Sequence, residues 1–165
     1  MVVVLVTVGT FEFDALVERV LEGKVLQVLR GKSLSSCMRL MIQKGQASKF
    51  EPSSSHWLLA EGLGIQLEFL SVVSDFSALI QAVDFVICHA GAGSILELLA
   101  AGKAFLAVPN ESLMENHQLE FAQKLLHLSL ISIGHLESIE KDLLLTSIVP
   151  KAKVSFPTIR DFPIY

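Results

Sequence analysis

The stretch that decides the fold reads DFVICHAGAGSILELLAAGK and runs from Asp84 to Lys103. Its beginning, Asp84 to Cys88, is an apolar run that predicts a strand buried on both faces of a sheet. A loop of mostly small residues follows, and from Ile95 the apolar spacing is that of a helix, which Gly102 ends by supplying the left-handed position. Strand, glycine-containing loop and helix in this order form the repeating unit of a parallel sheet.

The same unit opens the chain. Val2 to Val8 is a β-branched run that ends at Gly9, and helical spacing from Phe13 onward ends at Gly23. The next apolar stretch, Val25 to Leu29, fits either an extension of that helix or a short strand. Further strands are predicted at 39–43, 65–69, 104–108 and 130–133. A helix capped by Ser74 and Asp75 carries Phe76 to Val83, and other helices span 115–126 and 136–145. Residues 47–55 are predicted to be loop and residues 150–165 an irregular tail.

This alternation predicts an α/β fold in which helices cover both faces of a Rossmann-like, doubly wound, mostly parallel sheet. The expected domain spans residues 1–149, and a chain of 165 residues is long enough for one such unit.

Composition excludes several classes of protein. Hydrophobic residues make up 52% of the chain and charged residues 18%, which excludes a disordered chain. The net charge of −4 gives no basic field for nucleic acid. No apolar run is long enough for a membrane span or a signal peptide. Cys37 and Cys88 are interpreted as reduced thiols of a cytosolic protein, although the sequence leaves a disulfide open. A chain this apolar is expected to bind a partner subunit.

The polar and small residues after the strands are the candidate ligand-binding groups. The loop from His89 to Ser94 offers backbone N–H groups and a positive helix end, which suit a diphosphate. It lacks the Lys of a Walker loop, and Leu96 stands where a dinucleotide fingerprint has its third glycine. Gly9 and Thr10, after the first strand, permit either close ligand approach or a simple tight turn.

Two further positions have both a structural and a functional interpretation. Glu97, placed in the first turn of its helix, either stabilises the helix dipole or accepts hydrogen bonds from two ribose hydroxyls. Asn116 and Gln118, at the start of a later helix, either cap it or bind sugar hydroxyls. No Ser-His-Asp arrangement or HExxH motif occurs, which argues against a hydrolase or a zinc enzyme. The lack of an Asp-x-Asp pair fits a site without metal, and no cofactor is expected.

Together, three motifs resemble one family. VTVGT at 6–10, DFVICHAGAGS at 84–94 and NESLMENHQLE at 110–120 are similar to the small catalytic subunit of the eukaryotic UDP-N-acetylglucosamine transferase. That enzyme adds the second GlcNAc to the dolichol-pyrophosphate-linked precursor of N-glycosylation. The resemblance covers residues 2–126 and is densest over 84–125. The chain departs from the family at Ala104, where Pro is usual, and matches poorly over 24–70 and after 128.

The resemblance implies the sugar-nucleotide-binding half of a split GT-B glycosyltransferase. It places the diphosphate of UDP-GlcNAc on the loop His89, Ala90, Gly91, Ala92, Gly93 and Ser94. It assigns Glu97 to the ribose and Gln118 to the GlcNAc. It further implies a lipid-linked oligosaccharide acceptor and a membrane-anchored, acceptor-binding partner subunit that recruits this chain to the cytosolic face of the endoplasmic reticulum.

The expected reaction is an inverting transfer in which loop N–H groups stabilise the leaving UDP. His89 is the candidate base in this half, although it could equally orient the loop, and the base could belong to the partner. The alternatives are a catalytically silent UDP-sugar-binding or scaffold module and a two-subunit polysaccharide transferase that uses another UDP-sugar. A flavodoxin-like or receiver domain would need acidic residues after the first strand, and Thr7 to Thr10 contains none.

Overall fold

In the computed structural model, residues 1–10, 12–33, 35–71, 73–111, 117–149 and 153–154 are described. Their strands form one parallel sheet in the order β3-β2-β1-β4-β5-β6. The strands are β1 (Val2–Thr7), β2 (Met38–Gln43), β3 (Ile65–Leu70), β4 (Phe85–His89), β5 (Ala104–Val108) and β6 (Ser132–Ile133). This order confirms the doubly wound fold, because the chain winds outward from β1 in one direction and then from β4 in the other.

The central strands are buried on both faces, as their apolar sequences predict. In β1, Val4, Leu5 and Val6 are at most 2% exposed, and every residue of β5 is buried. β1 pairs with β4 in a register that sets Thr7 beside Cys88. The carboxyl ends of the two strands therefore lie side by side.

Helices cover both faces of the sheet. One face carries α1 (Asp14–Val20), α2 (Gly23–Lys32), α3 (Ser54–Gly62) and α7 (Ile139–Leu145). The other face carries α4 (Phe76–Gln81), α5 (Ala92–Ala101) and α6 (His117–His127). No helix in the described part of the chain is long and apolar enough to cross a membrane.

Gly23 does not end a helical region; it begins a second helix. α1 ends at Val20, and Glu22 has an extended backbone before α2 starts. Val25 to Leu29, for which the sequence allowed either a helix extension or a short strand, therefore lie in a helix. Its apolar residues Val25, Leu26 and Leu29 are buried against the sheet.

The largest error of the sequence analysis is at α3, which begins inside the stretch predicted to be loop. Ser53 caps this helix together with His56, whose Nδ1 accepts a hydrogen bond from the Ser53 N–H at 3.0 Å. The helix therefore starts within the run of three serines, Ser53 to Ser55. The helix was missed because it buries only Ala60 and so has no apolar periodicity to detect.

Boundaries elsewhere differ by a few residues. β1 ends one residue early, and β4 is shifted to include His89 and exclude Asp84, whose carboxylate accepts a hydrogen bond from the Val3 N–H at 2.8 Å. β6 has only two residues, and a short 3₁₀ turn at Leu136–Ser138 precedes α7. The predicted start of α6 at residue 115 and most of the predicted tail at 150–165 lie outside the described residues.

The end of α5 yields a stability prediction. Gly102 has φ +67°, as expected for the residue after a helix, so Gly102→Ala should lower the free energy of unfolding by about 1–2 kcal/mol. Gly31→Ala is the control, because Gly31 lies in α2 with no atom within 4 Å of its Cβ position, and it should stabilise by about 0.5–1 kcal/mol. Chemical denaturation measures both, and equal effects of the two substitutions would contradict this account.

Candidate functional site

The candidate site lies at the carboxyl edge of the sheet, where the winding direction changes between β1 and β4. Open α/β sheets bind ligands at such a point, because the loops that follow the two strands diverge there and leave a crevice. A cavity of about 270 Å³ occupies this place. It is lined by Thr7, Gly9, Thr10, Gln43, Val73, Phe76, Gly93, Ser94 and Glu97.

The amino end of α5 supplies hydrogen-bond donors to this cavity. The helix starts at Ala92, three residues earlier than the predicted start at Ile95, and its first backbone bond joins the Ile95 N–H to the Gly91 carbonyl at 3.0 Å. The N–H groups of Ala92, Gly93 and Ser94 therefore lie in the first turn, where no partner exists within the helix. Nothing approaches within 4 Å of the Cβ position of Gly93. An anion can thus reach a positive helix end at close range.

His89 fills the space between the two loops. A Cβ added to Gly9, whose φ is +73°, would lie 2.5 Å from Cε1 of the imidazole, and one added to Gly91 would overlap Nε2. Both positions therefore need glycine, because the ring contacts each backbone directly. His89 connects the loop after β1 to the start of α5.

Burial determines the charge of His89. It lowers the pKa of the imidazole below its ordinary value, because the charged form loses its water, and a hydrogen bond with the backbone of Thr7 acts more weakly in the opposite direction. Within the described part of the chain, the buried Nδ1 has no hydrogen-bond partner. The ring is therefore neutral at pH 7 and has an unsatisfied nitrogen.

Glu97 lies in the second turn of α5, so its predicted place in the first turn is wrong, because the helix begins earlier than expected. This weakens the dipole interpretation, since the dipole's effect fades beyond the first turn. The carboxylate is exposed, lines the cavity beside Gly93 and Ser94, and has no hydrogen-bond partner among the described residues. It is available to a ligand.

Gln43 is a site residue that the sequence analysis missed. It ends β2 with its side chain 6% exposed, lines the cavity, and bonds Thr7 and the carbonyl of Gly9. The available signal was an amide after the apolar run Leu40–Ile42, directly before the glycine-containing turn at 44–46.

The remaining predicted residues are placed differently. Ala90 is buried, and its N–H bonds the Val108 carbonyl at 3.2 Å. Gln118 does not line the cavity; its side-chain oxygen accepts a 3.4 Å hydrogen bond from the Asn110 N–H in the loop after β5. Asn116 lies outside the described residues. Among the described residues no three His, Cys, Asp or Glu side chains are grouped as a metal site would need.

A second cavity, of about 210 Å³, opens at the opposite end of the sheet between Val2, Met38 and Phe85. Six of the nine described residues that line it are apolar. Its lysine, Lys32, already donates to the Thr146 carbonyl at 2.7 Å. Lys32, the cation among the described residues that line this cavity, is therefore already engaged by backbone carbonyls.

The burial of His89 predicts a pH dependence of stability. The unfolded chain binds a proton near the ordinary pKa of about 6.5, whereas the folded chain binds it only at lower pH, so the free energy of unfolding falls as pH drops below 6.5. The limit for one proton is about 1.4 kcal/mol per pH unit. Denaturation of the wild type and of His89→Asn between pH 7.5 and 5 should show the steeper fall in the wild type. Parallel pH profiles of the free energy of unfolding in the two proteins would contradict this prediction.

Comparison with known proteins identifies the family. The model of the glycosyltransferase family 28 C-terminal domain matches residues 3–145. A relative from Homo sapiens, UDP-N-acetylglucosamine transferase subunit ALG13, is 39% identical over 123 residues, which are 74% of this chain and 10% of the human protein. The subunit of the same name from Cryptococcus neoformans is 31% identical over 161 residues, covering 83% of this chain and 79% of the relative. The chain thus spans only 10% of the human and mouse relatives' length.

Two solved structures share the fold. The crystal structure of Acinetobacter baumannii MurG superposes with a TM-score of 0.64 at 22% identity, covering 86% of this chain and 39% of MurG. The NMR solution structure of ALG13 gives a TM-score of 0.52 at 24% identity, covering 81% and 77% of the two chains. The six parallel strands with helices on both faces therefore match one half of a GT-B glycosyltransferase. With its family match extending over residues 3–145, this chain belongs to glycosyltransferase family 28 and contains that family's C-terminal domain.

Proposed function

We propose that this chain is the donor-binding, catalytic subunit of an N-acetylglucosaminyltransferase. The donor is UDP-GlcNAc, and the acceptor is dolichol-pyrophosphate-GlcNAc. A membrane-anchored partner subunit binds the acceptor and recruits this chain to the cytosolic face of the endoplasmic reticulum. Residues 1–149 form the donor-binding unit. The names of the relatives support the donor, and the resemblance of the sequence motifs supports the acceptor, the partner and the location.

One observation carries the proposal: the first turn of α5 and the carboxylate of Glu97 line the same cavity. The helix turn offers N–H donors for a diphosphate, and the carboxylate, one turn further along, offers acceptors for the hydroxyls of the adjoining ribose. A nucleoside diphosphate has these two groups next to each other. The apolar side chains Val73 and Phe76 complete the wall of the cavity.

The proposed chemistry is an inverting displacement. An acceptor hydroxyl attacks the anomeric carbon of GlcNAc, the bond from that carbon to the diphosphate oxygen breaks, and UDP leaves with the electron pair. The N–H groups of Ala92 to Ser94 stabilise the charge that develops on the leaving diphosphate. The attacking hydroxyl gives its proton to a base, for which His89 is the candidate on this chain, because its imidazole is neutral and lies against Gly9 and Gly91 beside the cavity.

The test of this proposal compares the isolated chain with the chain plus its partner. The isolated chain should bind UDP-GlcNAc but transfer almost no sugar, since half of a cleft cannot position an acceptor. Addition of the membrane-anchored subunit should restore transfer to a lipid-pyrophosphate-GlcNAc acceptor. Rapid turnover by the chain alone would refute the two-subunit arrangement, and donor binding without transfer in the complex would favour a silent binding module.

Glu97→Ala should weaken UDP binding by about 1–3 kcal/mol, because two charge-assisted hydrogen bonds to the ribose are lost. The fold should be unaffected, as Glu97 is exposed and bonds no described residue. Titration calorimetry with UDP measures the loss, and Glu61→Ala, an exposed glutamate on α3, is the matched control. Wild-type affinity in a folded Glu97→Ala protein would remove Glu97 from the site.

Gln118→Ala distinguishes a sugar contact from a helix cap. A direct contact to GlcNAc would weaken UDP-GlcNAc binding about three- to tenfold and leave UDP binding unchanged, because one neutral hydrogen bond contributes about 0.5–1.5 kcal/mol. Loss of the bond to Asn110 alone would instead lower the melting temperature and weaken both ligands equally. Gln123→Ala, an exposed position on the same helix, serves as the control.

We expect the first outcome, since no described residue bonds the Gln118 amide nitrogen while its oxygen is bonded to Asn110. If the binding of UDP and of UDP-GlcNAc were weakened equally, the identity of the donor sugar would be supported by the names of the relatives and not by Gln118. The Gln118 contact would then no longer support GlcNAc as the donor sugar.

A further inference from the structure

The buried amide of Gln43 joins the ends of three neighbouring strands. Its oxygen accepts a hydrogen bond from the Thr7 hydroxyl at 2.6 Å, at the end of β1. Its nitrogen donates to the carbonyls of Gly9 and Lys44, each at 2.9 Å, and lies 3.4 Å from the carbonyl of Ser71, which follows β3. A side chain with this many backbone partners fixes the loops that it connects, because any movement would leave buried polar groups unpaired.

Gly9 is held by this network at both of its polar atoms. Its carbonyl accepts from Gln43, and its N–H donates at 3.4 Å to the Thr7 hydroxyl, which itself donates to Gln43. The three residues form a closed ring of hydrogen bonds. The ring fixes the backbone of Gly9 at a φ of +73°, one of several conformations open to glycine.

The position of Gly9 determines that of His89. The imidazole packs against both Gly9 and Gly91, with Cε1 and Nε2 among the ring atoms nearest to each. Gly91 is the residue before the first turn of α5. A continuous chain of contacts therefore runs from the Gln43 amide through Gly9 and His89 to the N–H groups that line the cavity.

The loop after β2 supports the loop after β1 at further points. The Gln46 N–H donates to the Thr10 carbonyl at 3.1 Å. Asp14 is the first residue of α1. Its carboxylate accepts hydrogen bonds from the Ser48 hydroxyl at 2.5 Å and from the Lys49 N–H at 2.9 Å.

We propose that Gln43 is a positioning residue of the donor site: its amide holds Gly9 against His89 and so sets the width of the cavity between the loop after β1 and the start of α5. This inference rests on the proposed function only for the identity of the ligand, UDP or a UDP-sugar. The packing between Gly9, His89 and Gly91 is a property of the protein without ligand.

The test uses Gln43→Met, which keeps the volume and removes every hydrogen bond, together with Thr7→Val and Thr7→Ser. Gln43→Met and Thr7→Val should weaken UDP binding about tenfold, equivalent to about 1.4 kcal/mol. Thr7→Ser retains the hydroxyl and should bind UDP like the wild type. Ile139→Val, a buried change in α7 away from the cavity, is the control for general loss of stability.

NMR spectra of the ligand-free proteins distinguish a positioning role from a general effect on stability. The imidazole resonances of His89 and the amide resonance of Gly91 should shift in Gln43→Met and Thr7→Val and stay in place in Thr7→Ser and Ile139→Val. If Gln43→Met does not fold, the two Thr7 variants decide the question. Unchanged His89 resonances and UDP affinity in folded Thr7→Val or Gln43→Met would overturn the proposal.

Failure of the proposed function gives a different pattern. In that case the wild type itself binds no UDP, and the ligand-free resonances alone decide the role of Gln43. Shifts at His89 and Gly91 would then still support the positioning role, and their absence would refute it.

Discussion

The packing of the His89 imidazole between Gly9 and Gly91 is the contact on which the candidate site depends. The sheet brings β1 and β4 together, but a parallel pair specifies only where the strands end. The course of the two loops beyond those ends is set by the ring, since both backbones lie directly against it. The same burial keeps the ring neutral, so it separates the loops without adding a charge beside the helix end.

This arrangement leaves the attraction for an anion to backbone groups. The carboxylate of Glu97 lies nearby, so the cavity combines N–H donors at one end with an acceptor at the other. A ligand with a charged group and adjacent hydroxyls matches both. The cavity at the opposite end of the sheet between Val2, Met38 and Phe85 has a mostly apolar lining and lacks this combination of groups.

The parts of the fold predicted correctly from the sequence are those in which burial leaves a periodic signal. The apolar strands β1, β4 and β5 and the helix α5 with its Gly102 end belong to this group. The helix α3 was missed because it buries a single alanine, and the start of α2 was missed because a glycine at a helix start resembles one at a helix end. Periodicity reports burial, and these elements offer little of it.

The site residues that could be predicted are likewise those whose place follows from the predicted strands. Gly9, Gly93, Ser94 and Glu97 were predicted and do line one cavity, because their place after β1 and β4 follows from the order of the strands. Gln43 could not be identified as a partner of Gly9, since hydrogen bonds across 34 residues of sequence are set by the sheet register. The exact start of α5, and with it the turn that carries Glu97, could not be predicted, because Gly91 provides no side-chain cap and the small residues after it show no apolar periodicity.

The central claim is that the donor binds at the carboxyl edge between the loop after β1 and the start of α5. The most direct measurement is a titration of the ¹⁵N-labelled chain with UDP-GlcNAc, followed by backbone amide NMR. The account predicts that the largest shifts occur at Gly9, at Ala92 to Ser94 and at Glu97, with none around Val2 and Met38 at the opposite cavity. Shifts concentrated at that opposite cavity, or no shifts in the first turn of α5 at saturating donor, would contradict it.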